Sequence, residues 1–205
     1  MSIIRSNTPK DAVVNDIVNR EWEMFQQTQN VGGRAACQDQ YDTFYANRYS
    51  QHSILEPDTL ESYRNDLIAA GMAGRNLITE KYGYMMEVTD PEYYNANLRD
   101  RLPVLTEAKA QLIAQIVSLQ LEAYRKYAAE YPALARAGRP AEESSLDTSI
   151  RDYSIGEYKT YSEGTLALVL RDVKRRDNPV MDIQKTLVSF YGFENLKTAE
   201  EAQRQ

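Results

Sequence analysis

The sequence predicts an all-α fold, a compact bundle of about six to eight helices, and three observations carry that reading. Apolar residues recur at spacings of three and four through most of the chain, as in Val14, Ile17, Val18, Trp22 and Phe25. No stretch alternates apolar and polar residues in the manner of a half-buried strand. Pro9, Pro57, Pro91, Pro103, Pro132 and Pro179 punctuate the pattern where helices would start or stop. At 205 residues, the chain is expected to form a single helical domain over 1–205.

The elements follow in order. Thr8 can cap a first helix, with Pro9 at its first position and Asp11 placed for a reciprocal capping bond, and that helix is expected to reach about Asn30. Val31-Gly32-Gly33 ends it, and a second helix runs from Arg34 to about Ser50. Pro57 opens a third through Leu60, Tyr63, Leu67 and Ile68. Gly71 and Gly74 loosen the link to a fourth, from about Arg75 to Val88.

A short helix is expected over Glu92–Asn97, and the longest periodic stretch runs from Leu105 to Pro132. Residues 132–147, rich in Gly, Pro, Ser and Glu, read as a loop. Ser149 with Asp152 caps a helix expected to continue to Arg176, and Asn178-Pro179 opens the last, closed by Gly192. Residues 198–205 read as a frayed tail.

Composition removes several function classes. Hydrophobic residues are 42% and charged residues 26% with a net charge of -6, a balance that folds rather than staying disordered. No apolar run reaches the length of a membrane span, and MSIIRSNTPKDAVV lacks the pattern of a secretory signal, so neither a membrane partner nor export is expected. The longest basic run, Lys174-Arg175-Arg176, is too short to mark a nucleic-acid surface.

One cysteine, Cys37, forbids an internal disulfide and suits the reducing cytoplasm. With one cysteine and one histidine, no Cys/His zinc site can be built. A metal would need carboxylates, none is assigned, and no cofactor is named.

The informative positions are polar residues on apolar faces, because a buried charge is costly unless paired or used. Glu21 lies one turn from both Ile17 and Phe25 and so points inward, either as a site carboxylate or in an ion pair with Arg34, Arg48 or Arg75. Glu80, Tyr84 and Glu87 share a helix face beside Gly83, where a ligand or another backbone could approach, or where the face is simply solvated.

The run from Tyr153 to Gly164 is crowded with hydroxyls. It places Tyr153, Glu157, Tyr161 and Gly164 on one helical face and Ile155, Tyr158, Ser162 and Leu166 on the next. Gly156 and Gly164 would allow a close neighbour, and the tyrosines read equally as a hydrogen-bonded core. Gly32-Gly33-Arg34-Ala35 offers helix N-terminal amides and a guanidinium to an anion, or serves only as a helix break. Cys37 reads as buried packing. His52 reads as a surface or capping residue, four positions after Arg48, a spacing shorter than that of the helical ribonucleases of toxin systems.

The segments Glu-Trp-Glu-Met-Phe at 21–25, Gly-Gly-Arg-Ala-Ala-Cys-Gln at 32–38, Gly-Arg-Asn-Leu at 74–77, Glu-Lys-Tyr-Gly-Tyr-Met-Met-Glu at 80–87 and Gly-Glu-Tyr-Lys-Thr-Tyr-Ser at 156–162 occur in that order. Together they resemble the bacterial domain-of-unknown-function family numbered 4125 over nearly the whole chain. The resemblance implies a context, since such proteins sometimes accompany nucleotidyltransferase-like domains, and it carries over no catalytic residue.

Two readings result. In the first the chain is a small-molecule enzyme with a polar pocket between helices, acting on a small anionic metabolite: Glu21, Glu80, Glu157 and Tyr161 do the chemistry, and Arg34, Arg75, Glu87 and Tyr158 bind substrate. In the second it is a non-catalytic helical binding or accessory module for a partner enzyme such as a nucleotidyltransferase. Its buried charges then fix helix register, and the partner is another protein or a second copy.

Overall fold

The computed structural model describes residues 8–29, 33–141 and 148–204, and among them are eleven α-helices and no strand. The excess over the expected number comes from short helices and from a long one split by an internal cap. α1 (Pro9–Gln27) starts as predicted: the Asp11 N–H donates to Thr8 Oγ1 at 3.2 Å and the Thr8 N–H to Asp11 Oδ2 at 3.1 Å. It stops short of Asn30 because buried Gln38 engages its end, Nε2 donating to the Phe25 and Thr28 carbonyls at 2.8 and 3.0 Å.

Gln38 lies in a single 3₁₀ turn, Ala36–Asp39, so the second helix begins at Tyr41 rather than Arg34. α2 (Tyr41–Ser53) and α3 (Pro57–Met72) follow, and Gly74, at φ 68, turns the chain into α4 (Leu77–Thr89) in a conformation that a side chain would strain. α5 (Pro91–Tyr93) widens into a π turn over Tyr94–Leu98, close to the short helix expected there. α6 (Glu107–Glu130) is the longest element.

Two segments expected to be irregular are helical. Residues 132–137 form α7 (Pro132–Ala137) instead of loop, while 142–147 lie outside the described residues. The supposed frayed tail forms α11 (Leu196–Gln203). Each supports the other: the Glu200 carboxylate accepts the N–H groups of Ala133 at 2.9 Å and Leu134 at 2.8 Å, satisfying the first turn of α7. Leu196 and Ala199 pack with Val188, Tyr131 and Leu134 in a small second core. Neither segment shows this contact by its own periodicity, because the partner is more than sixty residues away.

The helix expected over 149–176 is two helices, α8 (Ile150–Tyr158) and α9 (Glu163–Lys174). Ser149 and Asp152 pair as predicted, with the Asp152 N–H on Ser149 Oγ at 3.0 Å. A second cap then intervenes, the Thr165 N–H donating to Ser162 Oγ at 3.2 Å. The break turns Tyr161 into the interior, where it is 2% exposed. α10 (Pro179–Phe190) closes at Gly192 as expected.

The main core joins α1, α2, α3, α6 and α9 through residues such as Ile17, Ala46, Leu60, Ile116 and Leu166. α6 packs on α9, α10 and α8, and α4 lies along α8 and also touches α1. The α4–α8 contact depends on Gly156, where an added Cβ would sit 2.7 Å from Met85 Cγ and 3.0 Å from the Lys81 carbonyl. Gly164, its expected counterpart, faces open space apart from Ser162 Oγ at 4.0 Å, so only one of the two glycines admits a neighbour. No helix among the described residues is long and apolar enough to cross a membrane.

Candidate functional site

Glu21 points inward from α1, as its position between Ile17 and Phe25 requires, and is fully buried. Its partner is Arg48 of α2: Nε donates to Oε2 at 2.8 Å and NH2 to Oε1 at 2.5 Å. The same guanidinium reaches Glu157 of α8, NH1 donating to Oε2 at 3.0 Å and NH2 to Oε1 at 2.9 Å. Lys81 of α4, 3% exposed, donates to Glu157 Oε2 at 2.7 Å. Its ammonium rests 3.5 Å from the centroid of the Tyr153 ring, a cation–π contact.

Phenols complete the shell. Tyr63 of α3 donates to Glu21 Oε1 at 2.8 Å and Tyr161 donates to Glu157 Oε1 at 3.0 Å, with their rings stacked 4.2 Å apart. His52 is 2% exposed rather than on the surface, and its Nε2 lies 3.1 Å from Glu21 Oε1, where it donates when it carries the proton. Five helices thus meet at one point. Two carboxylates face one guanidinium and one ammonium, so the centre is neutral when His52 is neutral.

The electrostatics follow from that arrangement. Burial pushes the Glu21 carboxyl upward, but the charge and hydrogen bonds of Arg48, with His52, outweigh it and hold the group at about 2. Burial likewise opposes ionisation of Glu157, and Arg48 and Lys81 overcome it, leaving its carboxyl well below the usual range. Burial and then the neighbouring Glu21 carboxylate push the Tyr63 phenol well up. At Tyr161 burial, Tyr63 and Glu157 do the same. The carboxylates are fixed as anions and these phenols as neutral donors.

Of the eight residues proposed from the sequence, Glu21, Glu157 and Tyr161 are brought together. Tyr158 lies beside them, its ring edge-on to Tyr161 and its hydroxyl accepting from Gln120 Nε2 at 2.6 Å. The other four are engaged elsewhere. Glu80 forks with Arg75, Nε at 2.7 Å and NH2 at 2.6 Å, and Glu87 pairs with Lys159. Arg34 donates to Asp39 at 2.9 Å, to Gln26 at 2.6 Å and to the Gln38 carbonyl at 2.8 Å, so it ties the turn after α1. Gly83 does admit a close neighbour, the Leu102 side chain, which a Cβ would meet at 3.3 Å. Cys37 is exposed, contrary to the expectation of buried packing.

Sequence reasoning offered Arg48 only as one of three partners for Glu21 and missed Lys81, His52 and Tyr63. A signal existed for one of the missed residues, since His52 lies four positions after Arg48 and shares its face of α2. Among the described residues no group of His, Cys, Asp and Glu is arranged to hold a metal ion.

Two open grooves lie on the surface, one of about 400 Å³ along α6 and α8 and one of about 530 Å³ between α1 and α3. Neither is lined by Glu21, Arg48 or Glu157.

A family model described as "Protein of unknown function (DUF4125)" matches residues 11–201. The chain belongs to this family. The match spans every helix of the fold, from the first turn of α1 into α11, and so takes in all the residues of the buried centre. No curated protein and no solved structure matches the chain.

Proposed function

We propose that this member of the family is a non-catalytic helical binding module, an accessory to a partner enzyme of the nucleotidyltransferase kind that the sequence resemblance suggests. The buried centre serves to lock five helices in one register. One observation carries this reading: every charge in the centre is met by another charge in the centre.

The consequence is chemical. General acid–base catalysis works best with groups that exchange protons near the working pH. Glu21 and Glu157 are held as permanent anions, and Tyr63 and Tyr161 are held protonated, so none of the four trades protons near neutrality. A bacterial cytoplasm fits the exposed free thiol of Cys37.

The test is native mass spectrometry of the purified protein, wild type and Glu157→Gln, alongside thermal unfolding. Wild type is expected to carry no tightly held metabolite, and the variant to unfold at lower temperature with no separate functional loss. A small anionic molecule retained by wild type and lost by a still-folded Glu157→Gln protein would instead establish the small-molecule enzyme reading.

A further inference from the structure

The C-terminal helix is held by a core of its own. Leu196 and Ala199 of α11 and Val188 of α10 are the buried apolar side chains of that small core, with Tyr131, Leu134, Met181 and Phe193 partly buried around them. α10 is the wall between two cores: Ile183, Leu187 and Phe190 face the main one, while Met181 and Val188 face α11. The main core therefore stays covered by α10 if α11 departs.

Neither α7 nor α11 is long enough to stand alone. They have six and eight residues, and isolated helices shorter than about 12–15 residues are marginal in water. The first turn of α7 depends on Glu200 of α11, 4% exposed, which accepts the N–H groups of Ala133 and Leu134 at 2.9 and 2.8 Å. Leu134 of α7 in turn packs in the same small core as Leu196. Loss of α7 strips Glu200 of its two buried amide donors, and loss of α11 strips α7 of its acceptor and its apolar cover. Two elements coupled in this way form and melt together.

The connection to α10 supplies a hinge. Gly192 sits at φ 85, and Tyr191, Gly192, Glu194 and Asn195 are all exposed. Backbone rotation at these positions displaces α11 without disturbing packed side chains on either side.

We infer that α7 and α11 are one releasable unit, a C-terminal strap that opens from α10 while the rest of the fold stays closed. Opening uncovers Met181 and Val188 and frees the first amides of α7. The residues of the buried centre lie on α1, α2, α3, α4 and α8, with Tyr161 just after α8, so the strap operates under either reading of that centre.

The experiment is native-state hydrogen exchange on the full chain at low denaturant, comparing amides of α7 and α11 with those of α9. In wild type α7 and α11 are expected to exchange through one shared opening, faster than α9. Leu196→Ala should quicken both about tenfold or more and leave α9 within about twofold. Glu200→Gln should quicken α11 by the same factor as α7. Ile17→Val, a deletion in the main core, should quicken α9 about two- to tenfold and leave α7 and α11 unchanged. Quickening of α11 without α7 in Leu196→Ala overturns the inference, because the two would then open separately. So does quickening of α7, α11 and α9 by one common factor in Ile17→Val, which would mean that the strap opens only when the whole molecule unfolds.

Discussion

Arg48 and Glu157 are 109 residues apart in sequence, yet the guanidinium of one spans both carboxylate oxygens of the other, at 3.0 and 2.9 Å, while also gripping Glu21. One cation thus cross-links α1, α2 and α8. Without it Glu157 would keep only Lys81 as a counter-charge, and Glu21 only His52 and the Tyr63 hydroxyl.

Removing that cation should cost far more than a surface ion pair. Arg48→Ala leaves Glu21 with only His52 and the Tyr63 hydroxyl in a fully buried site and Glu157 with Lys81 as its one counter-charge, and should destabilise the fold by about 3–5 kcal/mol. Urea unfolding measures it, and a loss below about 1 kcal/mol, the level of an exposed pair, would show that the site is wetter than its geometry.

Acid should loosen the same centre. The folded-state pKa of Glu21 is depressed from 4.5 to about 2, so its stabilisation is complete above 4.5 and is lost as pH falls toward about 2. Glu157, also depressed, acts in the same direction. Thermal midpoints at neutral pH and near pH 3 should fall steeply for wild type. For Glu21→Gln they should fall less steeply from a lower starting value, and parallel slopes would show that Glu21 does not drive the acid limb.

Gly156 and Gly164 should respond oppositely to alanine. At Gly156 a methyl meets Met85 and the Lys81 carbonyl, so α8 must shift from α4 at a cost of about 1–3 kcal/mol, pulling Glu157 from Lys81. At exposed Gly164 alanine should stabilise by about 0.4–1 kcal/mol, because the unfolded chain loses freedom and nothing clashes. Denaturant midpoints of the two variants decide it.

The C-terminal helix should protect α7. In Glu200→Gln the Ala133 and Leu134 amides lose their charged acceptor, and their hydrogen exchange should quicken about tenfold, whereas amides of α9 should not change. Uniform quickening across the chain would instead mark a global effect.

Much of this molecule was written locally. Thr8-Pro9-x-Asp11, Ser149 with Asp152, and Asn178-Pro179 set helix starts that the structure keeps, because a cap involves side chains and amides within one turn. The inward aim of Glu21 was likewise legible, since helical periodicity fixes which face a residue takes, whereas Tyr161 reaches Glu157 from the break between α8 and α9, which periodicity did not show.

What periodicity cannot give is the partner across the interior. Glu80 and Glu87 carried the same local signal as Glu21, and only packing sent them to Arg75 and Lys159 while Arg48 and Lys81 closed on the buried acids. The same holds for α7 and α11, which are short and weakly patterned alone but capped and covered by each other. A sequence fixes faces and ends of helices through contacts within a turn. Which charges meet depends on helix crossings, and those are decided only when the whole core packs at once.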